Sequence, residues 1–404
     1  MDHRAGATGQ RRVHQRAVRS AAAPDAAGPL SHLRVLDLSR LYPGALCSLL
    51  LADLGADVVK IEVPGTGDGL RFVSPGDFLS AHMALNRGKR SVQLDLRHPR
   101  AAEVLRGLVR DVDVVIDSNK PGVLDRSGLG YQAMREENPR LIWCSITGFG
   151  PDGPHQDQPG HDITYLGYSG LLSELEVDGM PPVTDVVVSV PVAALMSVTG
   201  ILAAVAERDR TGVGAKVDAS MVDSAMWLLS ENVARAASAP GPVWPSLAAR
   251  GVYRCADGKL ITLAATEPKP WSALCKALEV PDLADYRLGV DEDATRVRLA
   301  EVFATQPAAY WTRAPGLAGG VGPVNTADDL VDDEHVTARE GLVTLDGTDI
   351  RVLANPLRFD LESAAEGTRA TAPPPELGEH TDAVLAAAGF TTEQVESLRA
   401  DGAI

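Results

Sequence analysis

A histidine and an acid stand side by side in Gly160-His161-Asp162-Ile163-Thr164-Tyr165, just after the glycine- and proline-rich loop 148–154. An imidazole titrates near neutral pH, so His161 is the type of residue that takes a proton from an activated carbon. A lone histidine more often serves structure, and a loop aspartate usually caps nearby backbone. Downstream, Asp185-Val186-Val187-Val188-Ser189-Val190-Pro191 offers one carboxylate, Asp185, and one hydroxyl, Ser189. A serine hydroxyl is a poor base unless a neighbour activates it. Glu267, just before Pro268, adds a carboxylate that reads equally well as surface.

The second set is basic: Lys60, Arg71, Arg87, Lys89, Arg90 and Lys120. Arginine grips phosphate through two parallel hydrogen bonds, whereas lysine acts as a point charge. The bland alternative is a solvated basic loop. The chain as a whole carries a net charge of -16. Such a charge repels nucleic acid and anionic membranes at long range, so an anionic ligand needs a local basic pocket. Aromatic content of 4% argues against stacking platforms for single strands. The four cysteines are far apart, show no metal-ligand spacing, and point to reduced thiols and a cytoplasmic location. No metal is expected.

Alternating elements must position these groups. Segments 33–38, 57–62, 91–96, 114–116 and 141–144 read as strands. Between the first two, Pro43 suits the first turn of a helix that runs through Leu49, Leu50, Leu51 and Leu54 and stops near Gly55. A further helix buries Val104, Leu105, Leu108 and Val109. Strand–helix alternation predicts an α/β fold with a parallel sheet, helices on both faces, and ligands beyond the strand C-termini. The expected division is an arginine- and alanine-rich extension at 1–28, a large domain at 29–224, a small α+β domain at 225–330, and a segment at 331–404 that returns to the large domain through a linker at 368–375. The uncharged run 186–206 is long enough to suggest a membrane span. Its serines, threonine, proline and glycine favour a strand end followed by a buried helix.

Several pieces, in order, resemble the class III CoA-transferase family and its α-methylacyl-CoA racemase branch. They include Leu54-Gly55-Ala56-Asp57-Val58-Val59-Lys60-Ile61-Glu62, Asn86-Arg87-Gly88-Lys89-Arg90-Ser91, Gly160-His161-Asp162, Val217-Asp218-Ala219-Ser220-Met221-Val222-Asp223 and Leu377-Gly378-Glu379-His380-Thr381. The resemblance implies a Rossmann-like large domain, a smaller domain and an interlocked dimer. A homodimer is expected, with a heterodimer of related subunits left open. It implies an acyl-CoA thioester as substrate, with coenzyme A entering as part of that substrate and no separate cofactor. The six basic residues would then bind CoA, although this chain has Lys120 where the family usually has arginine. His161 matches the racemase base and Glu267 the glutamate that orients it. Counting back from Gly200, the racemase aspartate falls on Ser189 and the transferase nucleophile on Val190, so neither is a carboxylate; Asp185 is the nearest substitute. Proton transfer at the α-carbon is the leading expectation. CoA transfer between carboxylates and a non-catalytic acyl-CoA-binding subunit are the alternatives.

Overall fold

The computed structural model of the protein describes residues 28–72, 78–176, 179–183, 185–238, 247–286, 288–317, 320–360 and 370–404. The expected extension lies outside these residues except for Gly28, as does the start of the linker expected at 368–375. The described residues form two compact units, those of 28–230 joined by those of 340–404, and those of 231–339.

The first unit is built on six parallel strands: β1 (Arg34–Asp37), β2 (Asp57–Glu62), β3 (Arg90–Gln93), β4 (Val114–Asp117), β5 (Ile142–Thr147) and β6 (Lys216–Ser220). Their order is β3-β2-β1-β4-β5-β6, the doubly wound arrangement of a Rossmann-like sheet. Strands β2, β4 and β5 are buried along almost their whole length because helices cover both faces, and each carries consecutive apolar residues: Val58-Val59, Val114-Val115-Ile116 and Ile142-Trp143-Cys144. Edge strand β6 escapes the sequence pattern because Lys216 and Asp218 are exposed.

Helices α1 (Leu41–Asp53), α2 (Ala101–Val109), α3 (Asp162–Ser169), α4 (Ser189–Thr211) and α5 (Met221–Trp227) follow from this unit. Successive strand residues point to opposite faces, and the core divides accordingly. Val35, Val58, Val114 and Ile142 pack with α1 and α4 through Leu51, Ala194 and Ile201. Leu36, Val59, Val115 and Trp143 pack on the other face with Val104 and Leu108 of α2.

Helix α4 is long and apolar enough to cross a membrane, but it lies against the sheet. A Cβ at Gly200 would meet Val217 at 2.6 Å, so glycine permits the helix to approach β6 this closely. The strand end expected at 186–188 does not form; these residues are irregular, and the helix starts at Ser189.

The second unit has its own antiparallel sheet, β7 (Arg250–Arg254), β8 (Leu260–Ala264) and β9 (Val321–Pro323). Helix α6 (Pro268–Ala277) contributes Trp271 to a core with Tyr253, Phe303 and Trp311. Both buried indoles donate to carbonyls, Trp271 to Leu283 at 2.8 Å and Trp311 to Phe303 at 2.9 Å. The C-terminal α7 (Thr381–Ala387) and α8 (Thr392–Ala400) belong to the first unit and bury Leu385, Leu398 and Ile404 beside α2.

One carboxylate sets an acid limit for this unit. Burial pushes Glu62 up, but hydrogen bonds from Arg71 and Ser91 and from the Asp68 backbone outweigh it, and its pKa falls to about 2. A depressed acid stabilises the fold above its unfolded pKa and loses that contribution as pH falls through the folded value. Between roughly pH 4.5 and 2, acid should therefore remove on the order of 3 kcal/mol. Glu62→Gln should flatten that part of the stability–pH curve, measured by urea unfolding.

Candidate functional site

Beyond the C-terminal ends of β1, β4 and β5 opens a cavity of about 670 Å³. His161 lines it and is exposed. Its position is fixed by Tyr165 on α3, whose hydroxyl donates to the Gly160 carbonyl at 2.8 Å. A Cβ on Gly148 or on Gly160 would meet the Tyr165 ring at 2.7 or 2.5 Å, so both glycines are needed for the ring to sit there. Phe149 packs edge-on against Tyr165 and Tyr168. Thr164 closes the start of α3: its N–H reaches the His161 carbonyl at 2.8 Å and its hydroxyl accepts from the His161 N–H at 3.5 Å. The histidine is thus carried at the N-terminus of a short helix. There, among the described residues, the backbone N–H groups of Asp162 and Ile163 have no hydrogen-bond partner.

Asp162 does cap a helix, although not its own. Its carboxylate accepts from the N–H of Val188 at 3.1 Å, Ser189 at 2.7 Å and Val190 at 3.3 Å, at the start of α4. The Ser189 hydroxyl donates to the same group at 2.6 Å. An anion is stabilised there by free N–H groups and by the helix dipole. Ser189 is fully buried and held by Asp162, so its hydroxyl does not face the cavity. Asp185 is exposed on the loop before α4 and does not line the cavity. Glu267 lies in the second unit, exposed at the N-cap of α6. Of the three acid/base candidates in the first unit, the structure therefore brings His161 alone to the cavity; the carboxylate beside it is Asp162.

The basic candidates separate in the same way. Lys60, Arg87 and Lys89 are 2%, 2% and 4% exposed, with their charges turned toward protein carboxylates and carbonyls. Lys60 meets Asp68 at 3.0 Å and Asp37 at 3.6 Å, and Arg87 meets Asp53 at 2.8 Å. Lys89 donates to the Ala45 carbonyl and Asn86, with Asp37 at 3.7 Å. Arg71 forks onto Glu62 and Arg90 onto Asp57. Burial depresses Lys89 to about 7, whereas Lys60, between two aspartates, is raised despite burial. Of the six, Lys120 lines the cavity and is exposed. Sequence reasoning missed its companion, Arg40, which is exposed at the switch point after β1. Arg40 also lines a second cavity of about 230 Å³ beside the ends of β2 and β3, and Asn119 borders both. The signal was its place directly after the first strand, at the point where strand order reverses.

The wall around His161 is mainly apolar: Ile163, Leu166, Leu172, Leu175, Val187 and Val190. Among the described residues, no group of three His, Cys, Asp or Glu side chains is placed to hold a metal ion.

Comparison with known proteins agrees with this architecture. The chain is 36% identical to a succinyl-CoA:mesaconate CoA-transferase of Haloarcula hispanica, over 92% of this chain and 99% of that protein. It is 32% identical to the human alpha-methylacyl-CoA racemase, over 92% and 96%. A crystal structure of a CAIB/BAIF family protein from Brucella suis superposes with a TM-score of 0.77 and 30% identity, covering 90% of this chain and all of that one. A hypothetical protein from Mycobacterium tuberculosis gives 0.78 and 28%, over 89% and 99%. The profile of CoA-transferase family III matches residues 30–381, and the chain belongs to that family.

Proposed function

We propose that the protein moves a proton at the α-carbon of an acyl-CoA thioester, in the manner of a racemase or epimerase. The observation that carries this reading is His161, exposed on an apolar cavity with no carboxylate nucleophile beside it at 189 or 190. The thioester acidifies the α-C–H bond. His161 removes that proton, the bonding pair moves into the enolate, and the free N–H groups at the start of α3 supply charge stabilisation to its oxygen. Reprotonation by the imidazolium completes the cycle. CoA transfer between carboxylates needs a side chain that forms an anhydride with the acyl group, and the buried Ser189 hydroxyl is a poor candidate.

The ligand would lie across both cavities. Arg40 and Lys120 would meet the phosphates, the smaller cavity would take the nucleotide end, and the apolar walls near His161 would take an aliphatic acyl group. Arg40→Ala or Lys120→Ala should weaken CoA binding by about 1.5–3 kcal/mol if each loses a charged hydrogen bond. Calorimetry that gives both variants wild-type affinity would remove the two cations from the site.

The working unit would be a homodimer in the cytoplasm, where the four buried cysteines stay as free thiols. The support for a second copy is an apolar patch of Leu195 and Met196 on α4 with Met226, Trp227 and Leu228 at the end of α5, between 40% and 68% exposed. Light scattering should report a dimer at micromolar concentration, and Trp227→Glu should shift it toward monomer. A wild-type monomer would contradict the assembly.

The reaction itself is tested by deuterium uptake from heavy water into the α-position of a 2-methylacyl-CoA.

A further inference from the structure

Arg40 is held by an unusual piece of backbone. The next residue, Leu41, has φ 59°, a left-handed conformation that a leucine rarely adopts, and it sits 45% exposed on the cavity. Such strain persists only where the surroundings over-determine it. Here the determinants are visible. The Leu41 N–H is shared between the two oxygens of Asp68, at 3.2 and 3.4 Å. The Arg40 N–H donates to the Ser118 hydroxyl at 2.9 Å. The Ser39 carbonyl accepts from Lys60 at 3.0 Å, and its N–H donates to Asp37 at 2.9 Å. Three consecutive residues are therefore clamped by one polar network, which leaves the Arg40 side chain between the two cavities.

Asp68 is the centre of that clamp. It is 4% exposed, pairs with Lys60 at 3.0 Å and accepts from the Leu70 N–H at 2.7 Å. Its own N–H donates to Glu62 at 2.9 Å. A buried ion network is weak evidence for stability in itself, because well-packed apolar groups would often serve as well. What apolar groups cannot do is hold a left-handed N–H and a carbonyl in fixed directions.

We infer that Asp68 is a positioning residue: with Lys60 and Ser118 it locks the strained lip 39–41 and so aims Arg40 at the anionic part of the ligand. The inference rests on the reading of the two cavities as an acyl-CoA site.

The test is calorimetric titration of CoA into the intact protein. Arg40→Ala should weaken binding by about tenfold or more, as expected when a charged hydrogen bond is lost. Asp68→Asn should weaken it severalfold to about tenfold although, among the described residues, Asp68 pairs with Lys60 and makes no ion pair with Arg40, and the double variant should bind no worse than Arg40→Ala alone. Leu41→Gly added to Asp68→Asn should recover part of the loss, since glycine adopts φ 59° without strain. Asp53→Asn, which breaks a buried ion pair outside either cavity, should leave affinity unchanged. If Asp68→Asn does not fold, Ser118→Ala carries the test, with a severalfold loss in wild type and none in Arg40→Ala. Two results overturn the inference alone: wild-type affinity in Asp68→Asn (or in Ser118→Ala, where that variant is used), or losses that add to that of Arg40→Ala. Wild type that takes up no CoA overturns the reading of the site and the inference together.

Discussion

Replacing His161 by alanine should abolish nearly all α-proton exchange on a 2-methylacyl-CoA. The expected loss is the 10²–10⁴-fold typical of a positioned general base. His161 is exposed at the start of α3, so the melting temperature should change little. The motif around it is rigid for a separate reason, the Tyr165 ring seated against Gly148 and Gly160. CoA affinity should also persist, because the cations assigned to the phosphates are Arg40 and Lys120. A variant that keeps its exchange rate would remove His161 from the chemistry; one that unfolds would make the residue structural.

Replacing Arg87 by alanine should do the opposite. Asp53 would be left buried without the Arg87 Nη2 that donates to both of its oxygens, and the carbonyls of Ala84 and Ala370 would lose a donor. Breaking a buried pair from one side costs about 3–5 kcal/mol. Chemical denaturation should show that loss, while CoA affinity per folded molecule stays at the wild-type value. A large loss of affinity in protein of wild-type stability would return Arg87 to the ligand site.

These two variants mark where the sequence was legible and where it was not. The parallel sheet could be read because β2, β4 and β5 are buried on both faces and each places apolar residues at consecutive positions, Val58-Val59, Val114-Val115-Ile116 and Ile142-Trp143-Cys144. Strand β6 could not, because its charged edge interrupts the pattern. His161 was legible because residues close in sequence, Gly160, Thr164 and Tyr165, place it. The role of Ser189 was hidden because its partner, Asp162, lies 27 residues away and caps a helix whose start the sequence did not mark. The basic motif 86–90 was ambiguous for a chemical reason: a guanidinium fork fits a carboxylate as well as a phosphate. Whether Arg87 and Arg90 face one or the other depends on Asp53 at the end of α1 and Asp57 at the start of β2, 34 and 33 residues earlier in the chain. Arg40 was overlooked because its importance comes from topology, the reversal of strand order between β1 and β4, and from no local motif.

The account places proton transfer, with no covalent acyl intermediate, at the centre of the protein's chemistry. The most direct measurement incubates wild-type protein with one enantiomer of a 2-methylacyl-CoA and a free carboxylate in heavy water. Deuterium at the α-carbon, configuration and any new thioester are then followed together by mass spectrometry and chiral analysis. The account predicts deuterium uptake without transfer of CoA to the carboxylate. With His161 as the base and no carboxylate at 189, it also predicts that uptake outruns inversion. Transfer of CoA to the added carboxylate without deuterium uptake would contradict it.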